Sequence, residues 1–133
     1  MNSGAAIDCR QSPEHPRRLV CLVDGDTVLA EIERFAVSRG GYEVIAFSDP
    51  LECLAWIRQA APLLDVLVTA YALPVITGAE LIRRAKVVVP TLKTILTSGY
   101  EASQLPDLEM ADVFLAKPFT MGRLVEAVAQ ILV

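Results

Sequence analysis

The sequence contains no apolar run of about 18 residues, and its N-terminus has no hydrophobic signal core. We therefore expect neither membrane insertion nor secretion. Basic runs are also absent, since Arg17-Arg18 is only a pair. The net charge of the chain is -4. Since clustered lysine and arginine residues dominate binding to a nucleic-acid backbone, we do not expect this chain to bind nucleic acid.

Cysteine and histidine are scarce. Cys9, Cys21 and Cys53 are odd in number and show no pairwise metal spacing. We interpret them as reduced thiols, which predicts a cytoplasmic protein. The single histidine, His15, lies in a polar N-terminal stretch without the helical bundle that a phosphotransfer histidine needs. We therefore expect it to be solvated.

The length and composition of the chain favour one domain. A chain of 133 residues has the usual size of a single domain, and its hydrophobic fraction of 53% is enough to bury a core. The first 17 residues are polar and carry little apolar content. We predict a disordered tail over residues 1–17 and a folded domain over residues 18–133.

Short apolar runs alternate with amphipathic stretches from Arg18 onward. The runs are apolar on both faces, which is typical of buried parallel strands. The pattern predicts strands over Leu19–Val23, Tyr42–Phe47, Asp65–Thr69, Lys93–Thr97 and Asp112–Ala116. It predicts helices over Thr27–Arg39, from Pro50, over Ala79–Val88 and over Met121–Leu132. Alternating units of this length indicate a doubly wound α/β fold.

The predicted helices carry boundary signals. Gly40-Gly41 is a stop signal for the first helix, Asp49-Pro50 opens the second, and Thr120 is the expected cap of the last. Within the first helix the apolar side chains fall on one face, as in an amphipathic helix; they are Val28, Ile32, Phe35 and Ala36.

Open parallel sheets bind ligands outside the carboxyl ends of their strands, where the strand order reverses. In this sequence, that rule selects Asp24 to Asp26, Ala70 to Pro74, Thr97 to Gly99, and Lys117-Pro118. We expect these segments to form one site.

The same segments resemble those of a known family. The matching motifs are Leu22-Val23-Asp24, residues 64–74 with Gly78, Thr97-Ser98-Gly99-Tyr100, and Lys117-Pro118-Phe119. Together they resemble the receiver domains of response regulators in two-component phosphorelay signalling, over about residues 18–133. The resemblance implies a flavodoxin-like, five-stranded parallel sheet with helices on both faces.

The resemblance also shows what this chain lacks. Ala70 occupies the position of the phosphate-accepting aspartate, and a methyl group has no lone pair that could attack a phosphoryl donor. Asp24 matches the first member of the family's acidic pair, and Gly25 replaces the second. Magnesium needs hard oxygen ligands, so we expect its binding to be lost or weak, with Asp24 as a weak candidate ligand. We expect no other metal or cofactor.

The remaining pocket positions match the family in part. Thr97 matches the hydroxyl that contacts the phosphoryl group, although it could satisfy a local backbone group instead. Phe114 matches the switch aromatic, but packing is its favoured interpretation. Lys117 matches the lysine that pairs with the acceptor, and we expect it to reach Asp24; its bond to Pro118 is a candidate cis peptide. Asp26 is favoured as a cap of the first helix over a metal ligand.

The helix expected between the fourth and fifth strands should be short or broken, because Pro106 lies near the middle of that stretch. We expect Leu105, Leu108 and Met110 to be exposed there and to contact a protein partner, with packing onto the core as the alternative for at least one of them. The partner would be a histidine kinase, a phosphorelay protein, an output protein or a second copy of this chain.

Three functions remain open. The chain could be a receiver domain that acts as a phosphorylation-independent protein-interaction module, which the additional departure at Gly25 favours. It could be an ordinary receiver whose acceptor was changed to Ala70 by design. An unrelated flavodoxin-like ligand-binding protein is disfavoured, because no glycine-rich phosphate loop follows the first strand. Enzymatic activity is not expected.

Overall fold

The computed structural model describes residues 17–60, 63–101, 104–105 and 107–133. The predicted N-terminal tail therefore lies outside the described residues except for Arg17. The strands are β1 Leu19–Val23, β2 Glu43–Phe47, β3 Leu64–Ala70, β4 Lys93–Ser98 and β5 Val113–Ala116. The α-helices are α1 Thr27–Arg39, α2 Pro50–Ala60, α3 Gly78–Val88 and α4 Met121–Ile131, and a short 3-10 helix covers Leu108–Met110.

The strands form one parallel sheet in the order β2-β1-β3-β4-β5. Helices α1 and α4 pack together on one face, and α2 and α3 pack together on the other. Each face has its own apolar core, and the central strands β1, β3 and β4 contribute to both cores. The predicted five-stranded, doubly wound α/β fold is confirmed.

The helix boundaries follow the predicted signals. Asp49 accepts a hydrogen bond from the backbone nitrogen of Leu51 at 2.8 Å, and Thr120 accepts one from Arg123 at 3.0 Å. Helix α1 ends at Arg39, after which Gly41 has a φ of 100°, a value that favours glycine. None of the helices within the described ranges is long and apolar enough to cross a membrane.

The inward face of α1 differs from the sequence pattern. Val28, Ile32 and Phe35 are 69%, 49% and 60% exposed, whereas the side chains that α1 buries are those of Ala30, Glu33 and Val37. Helix α1 begins directly after its cap, Asp26, and packs against β2 and α4 with the side that carries Val37. The apolar stripe that the pattern would turn inward therefore faces solvent.

The connection between β4 and β5 forms no α-helix among its described residues and contains the 3-10 helix, which confirms the short helix predicted there. Pro106 and the side chain of Leu108 lie outside the described parts. Met110 packs against the core formed with α2 and α3, and Leu105 is half-buried. Met110 therefore follows the core-packing alternative, since the 3-10 helix lies close against α3, and the expectation of exposure was wrong for Leu105.

The thiols of Cys21 and Cys53 are buried and free, as the sequence predicts, while Cys9 lies outside the described residues. Their sulfur atoms are 3.5 Å apart. Burial raises the pKa of the Cys21 thiol well above its usual value, and the neighbouring Cys53 adds to the effect. Such a protonated thiol is a poor nucleophile, so this pair acts as core packing.

Candidate functional site

The carboxyl ends of β1, β3, β4 and β5 bring the predicted pocket residues to one edge of the sheet. Strands β1 and β3 are neighbours although they are not consecutive, so the strand order reverses between them. Asp24 follows β1, Ala70 ends β3, and Lys117 follows β5. Thr97 of β4 lies directly opposite Ala70 in the parallel register.

Asp24 and Lys117 form an ion pair in this pocket. The Lys117 ammonium lies 3.2 Å from Oδ2 of Asp24. The other carboxylate oxygen of Asp24 accepts a hydrogen bond from the backbone nitrogen of Asp26 at 2.9 Å. Only 6% of the Asp24 side chain is exposed, so this charge is largely removed from water. The predicted contact between Lys117 and Asp24 is confirmed.

The backbone around Ala70 is tightly held. The amide of Tyr71 donates to the carbonyl of Thr97 at 2.8 Å, and the amide of Gly78 donates to the carbonyl of Tyr71 at 2.8 Å. A Cβ atom at Gly78 would lie 2.0 Å from the Ala70 carbonyl oxygen, so glycine is required at this position. The strand end keeps a fixed geometry around a side chain that cannot accept a phosphoryl group.

Gly25 has no steric reason to be glycine. A Cβ atom there would meet only Pro74 Cδ, at 3.9 Å, which is an ordinary contact. Its φ lies outside the left-handed region, so a side chain causes no backbone strain. The position could therefore hold a carboxylate, and the pocket lacks one because the residue is glycine.

Asp26 caps helix α1. Its carboxylate accepts hydrogen bonds from the backbone nitrogens of Val28 and Leu29, both at 3.1 Å. These amides have no partner inside the helix, so the side chain satisfies them. The prediction that Asp26 acts as a cap is confirmed.

Thr97 and Phe114 occupy different environments. Thr97 is buried beside Ala70, and the next residue, Ser98, accepts a hydrogen bond from the amide of Tyr100 at 2.9 Å. Phe114 is half-buried and packs against the core formed with α2 and α3, as its packing interpretation predicts. The bond between Lys117 and Pro118 is cis, as the resemblance suggests.

Glu33 is a further pocket acid that the sequence reasoning missed. It lies on the inner face of α1 and is only 2% exposed, and its Oε2 atom has no hydrogen-bond partner. Burial and the nearby charge of Asp24 raise the pKa of Glu33 to about 7, although the Lys117 charge opposes this shift. Ala30, Glu33 and Val37 are three and four residues apart, so they also lie on one face of the helix. This second face, with a glutamate at its centre, was the sequence signal that could have identified Glu33.

The pocket acids do not converge on one point. Within the part of the chain that the structure describes, no three His, Cys, Asp or Glu side chains are grouped in a way that could hold a metal ion. Magnesium would have to compete with the Lys117 ammonium for Asp24. Loss of magnesium binding stays a prediction.

The chain matches known sequences over most of its length. The family model of the response regulator receiver domain matches residues 20–129. The transcriptional regulatory protein TrcR of Mycobacterium tuberculosis is 32% identical over 80% of this chain, and CreB of Escherichia coli is 31% identical over 78%. The DNA-binding transcriptional regulator NtrC of a Bradyrhizobium strain is 27% identical over 88%. The chain spans only 42%, 46% and 25% of these three proteins, respectively.

Solved structures show the same fold. A response regulator receiver domain protein from Clostridium thermocellum superimposes with a TM-score of 0.80 at 23% identity, covering 86% of this chain and 94% of that one. A CheY-like receiver domain protein from Methanospirillum hungatei gives 0.79 at 26% identity, covering 87% and 94%. The fold, the order of the pocket segments along the chain and the family match agree. This chain therefore belongs to the response regulator receiver domain family of two-component signalling.

Proposed function

We propose that this receiver domain cannot be phosphorylated at the usual site and acts in the cytoplasm as a phosphorylation-independent protein-interaction module. The observation that supports this most directly is the Asp24–Lys117 ion pair beside the Ala70 methyl group. The family resemblance pairs this lysine with the acceptor aspartate. Here Lys117 pairs with Asp24 instead. The proposal includes no enzymatic activity.

The charges of this pocket favour a metal-free state. A pocket with three clustered carboxylates needs a divalent cation to offset their repulsion. Here Lys117 neutralises Asp24, and the pKa of Glu33 of about 7 allows that acid to take up a proton at neutral pH. Neither an aspartyl phosphate nor magnesium is then available to shift the domain between two conformations. Partners would recognise one constitutive conformation.

The proposal requires that the binding partner is a protein. The relatives of this chain, TrcR and CreB, are named as transcriptional regulatory proteins, and this chain covers less than half of each. We propose a histidine kinase, a phosphorelay protein or an output protein as the partner. Nucleic acid is disfavoured because the chain has a net charge of -4.

Magnesium should leave the native domain unchanged. Titration into the low millimolar range, followed by backbone amide chemical shifts, should give no saturable response, because Asp24 lacks a second carboxylate beside it. The matched control is the double variant Gly25→Asp/Ala70→Asp, which restores both acids; a Cβ atom at Gly25 has room. That variant should bind magnesium and respond to beryllofluoride. Saturable shifts around Asp24 in the native protein would refute the metal-free pocket.

A further inference from the structure

Helix α1 presents an apolar stripe that neither the core nor the pocket uses. Val28, Ile32 and Phe35 are all largely exposed, and Arg39 continues their line along the helix. Their spacing alternates between four and three residues, as in the seam of a helix pair. Isolated apolar residues are ordinary on a surface, but a continuous stripe indicates an interaction site.

We propose that a second copy of this chain covers the stripe through an antiparallel contact between the two α1 helices. The inference rests on the proposed function and names one partner of the interaction module. It also moves the expected contact surface away from the β4–β5 connection, where Met110 packs against the core.

The stripe is self-complementary in the antiparallel arrangement. A two-fold axis between Ile32 and Phe35 places Ile32 of each copy against Phe35 of the other. Val28 then meets the aliphatic stem of Arg39 from the second copy. In the single chain the Arg39 guanidinium lies over the Phe35 ring, 5.7 Å from its centre, so Arg39 already follows the stripe. The same residues thus form both sides of one contact.

The charges at the two ends of α1 select this direction. Asp26 lies at the N-terminal end and Arg39 in the last turn. Antiparallel packing brings the guanidinium of each copy to the acidic end of the other and also opposes the helix dipoles favourably. A parallel pair would bring like charges together at both ends. The sequence of the helix therefore favours the two-fold arrangement over a parallel one.

A separate groove lies beside the N-terminal half of α1, and none of the stripe residues lines it. Its volume is about 340 Å³, and it is lined by Leu29, Lys117, Pro118, Phe119 and Met121. A contact centred on one helix of 13 residues buries less than the roughly 800 Å² per partner that stable complexes use. We therefore expect a weak dimer whose population depends on protein concentration.

Sedimentation equilibrium of the full chain, from micromolar to millimolar concentration and without phosphodonor, tests the proposal. The native protein should follow a monomer–dimer equilibrium, and Ile32→Glu should weaken the dimer at least about tenfold by placing a charge in the seam. Val87→Glu is the matched control, because Val87 is also exposed but lies on α3. This control should dimerise as the native protein does, and circular dichroism verifies that both variants are folded.

The charged end supplies a second test. Arg39→Glu should weaken the dimer, and added salt should weaken the native dimer more than that of this variant. If the native protein stays monomeric over the whole concentration range, the proposal is overturned, and a different protein would then be the partner that covers the stripe. Equal dimerisation of the Ile32→Glu and Val87→Glu variants would overturn it as well. Neither result bears on phosphoryl acceptance, so the proposed function is tested separately.

Discussion

Replacing Glu33 with leucine should raise the free energy of unfolding by about 3 kcal/mol at pH 8. The Glu33 carboxylate is buried, and one of its oxygens has no hydrogen-bond partner. Its pKa rises from 4.5 to about 7 because burial and the charge of Asp24 disfavour the ionised form. Above pH 7 the folded domain must hold this charge out of water, and leucine removes that cost.

The gain from Glu33→Leu should depend on pH. Between about pH 4.5 and pH 7 the folded state binds a proton at Glu33 that the unfolded state has released. The stability contribution of Glu33 therefore falls as the pH rises through this window, and its full cost is present above it. The groups that act on this titration are Asp24 and Asp26, whose charges raise the pKa, and Lys117, whose charge lowers it.

Urea unfolding of the native protein and the variant at pH 5 and pH 8 measures this difference. Glu31→Leu is the matched control, because Glu31 lies on the same helix but its side chain is 65% exposed. The control should show no comparable gain at pH 8. An equal effect of Glu33→Leu at both pH values would show that Glu33 does not titrate in this window.

Replacing Lys117 with methionine should lower the free energy of unfolding by about 3 kcal/mol. The change leaves the Asp24 carboxylate, of which only 6% is exposed, without its partner at 3.2 Å. It also removes the positive charge that lowers the pKa of Glu33, so that pKa should rise. Methionine keeps the apolar stem, which separates the loss of charge from the loss of packing.

A double-mutant cycle separates the ion pair from other effects. Asp24→Asn combined with Lys117→Met should recover much of the lost stability, because no unpaired charge then remains buried. The comparison pair is Lys86 and Asp112, whose charged atoms are 3.1 Å apart but whose side chains are 30% and 38% exposed. Lys86→Met should cost at most about 1 kcal/mol. Similar losses at Lys86 and Lys117 would mean that burial does not strengthen the pocket ion pair.

Local rules predicted most of this fold. Strand β1 and helix α1 have the predicted bounds, α2 begins at the predicted Pro50, and the predicted ends of the other strands and α-helices differ by at most one residue. Apolar runs identify buried strands, and Asp26 and Thr120 mark helix starts through hydrogen bonds to nearby amides. These signals are local in sequence, so they survive the formation of tertiary contacts.

The face that α1 turns to the sheet could not be read from its apolar pattern. Val28, Ile32 and Phe35 form the more apolar stripe, yet α1 turns Ala30 and Glu33 inward. A pattern cannot show that a glutamate is buried, because burial depends on how neighbouring elements pack. The parallel-sheet rule placed Lys117 and Asp24 in one site, and the family resemblance then predicted that the lysine pairs with an acid there.

The central claim is that this receiver domain is not phosphorylated: Ala70 cannot accept a phosphoryl group, and no other pocket residue replaces it as the acceptor. Intact-mass spectrometry after incubation with acetyl phosphate and magnesium tests it most directly. The native protein should show no added phosphoryl mass, Ala70→Asp should show little, and Gly25→Asp/Ala70→Asp should show an acid-labile addition, since it restores both nucleophile and second carboxylate. An acid-labile phosphoryl group on Asp24 or Asp26 of the native protein would contradict the claim.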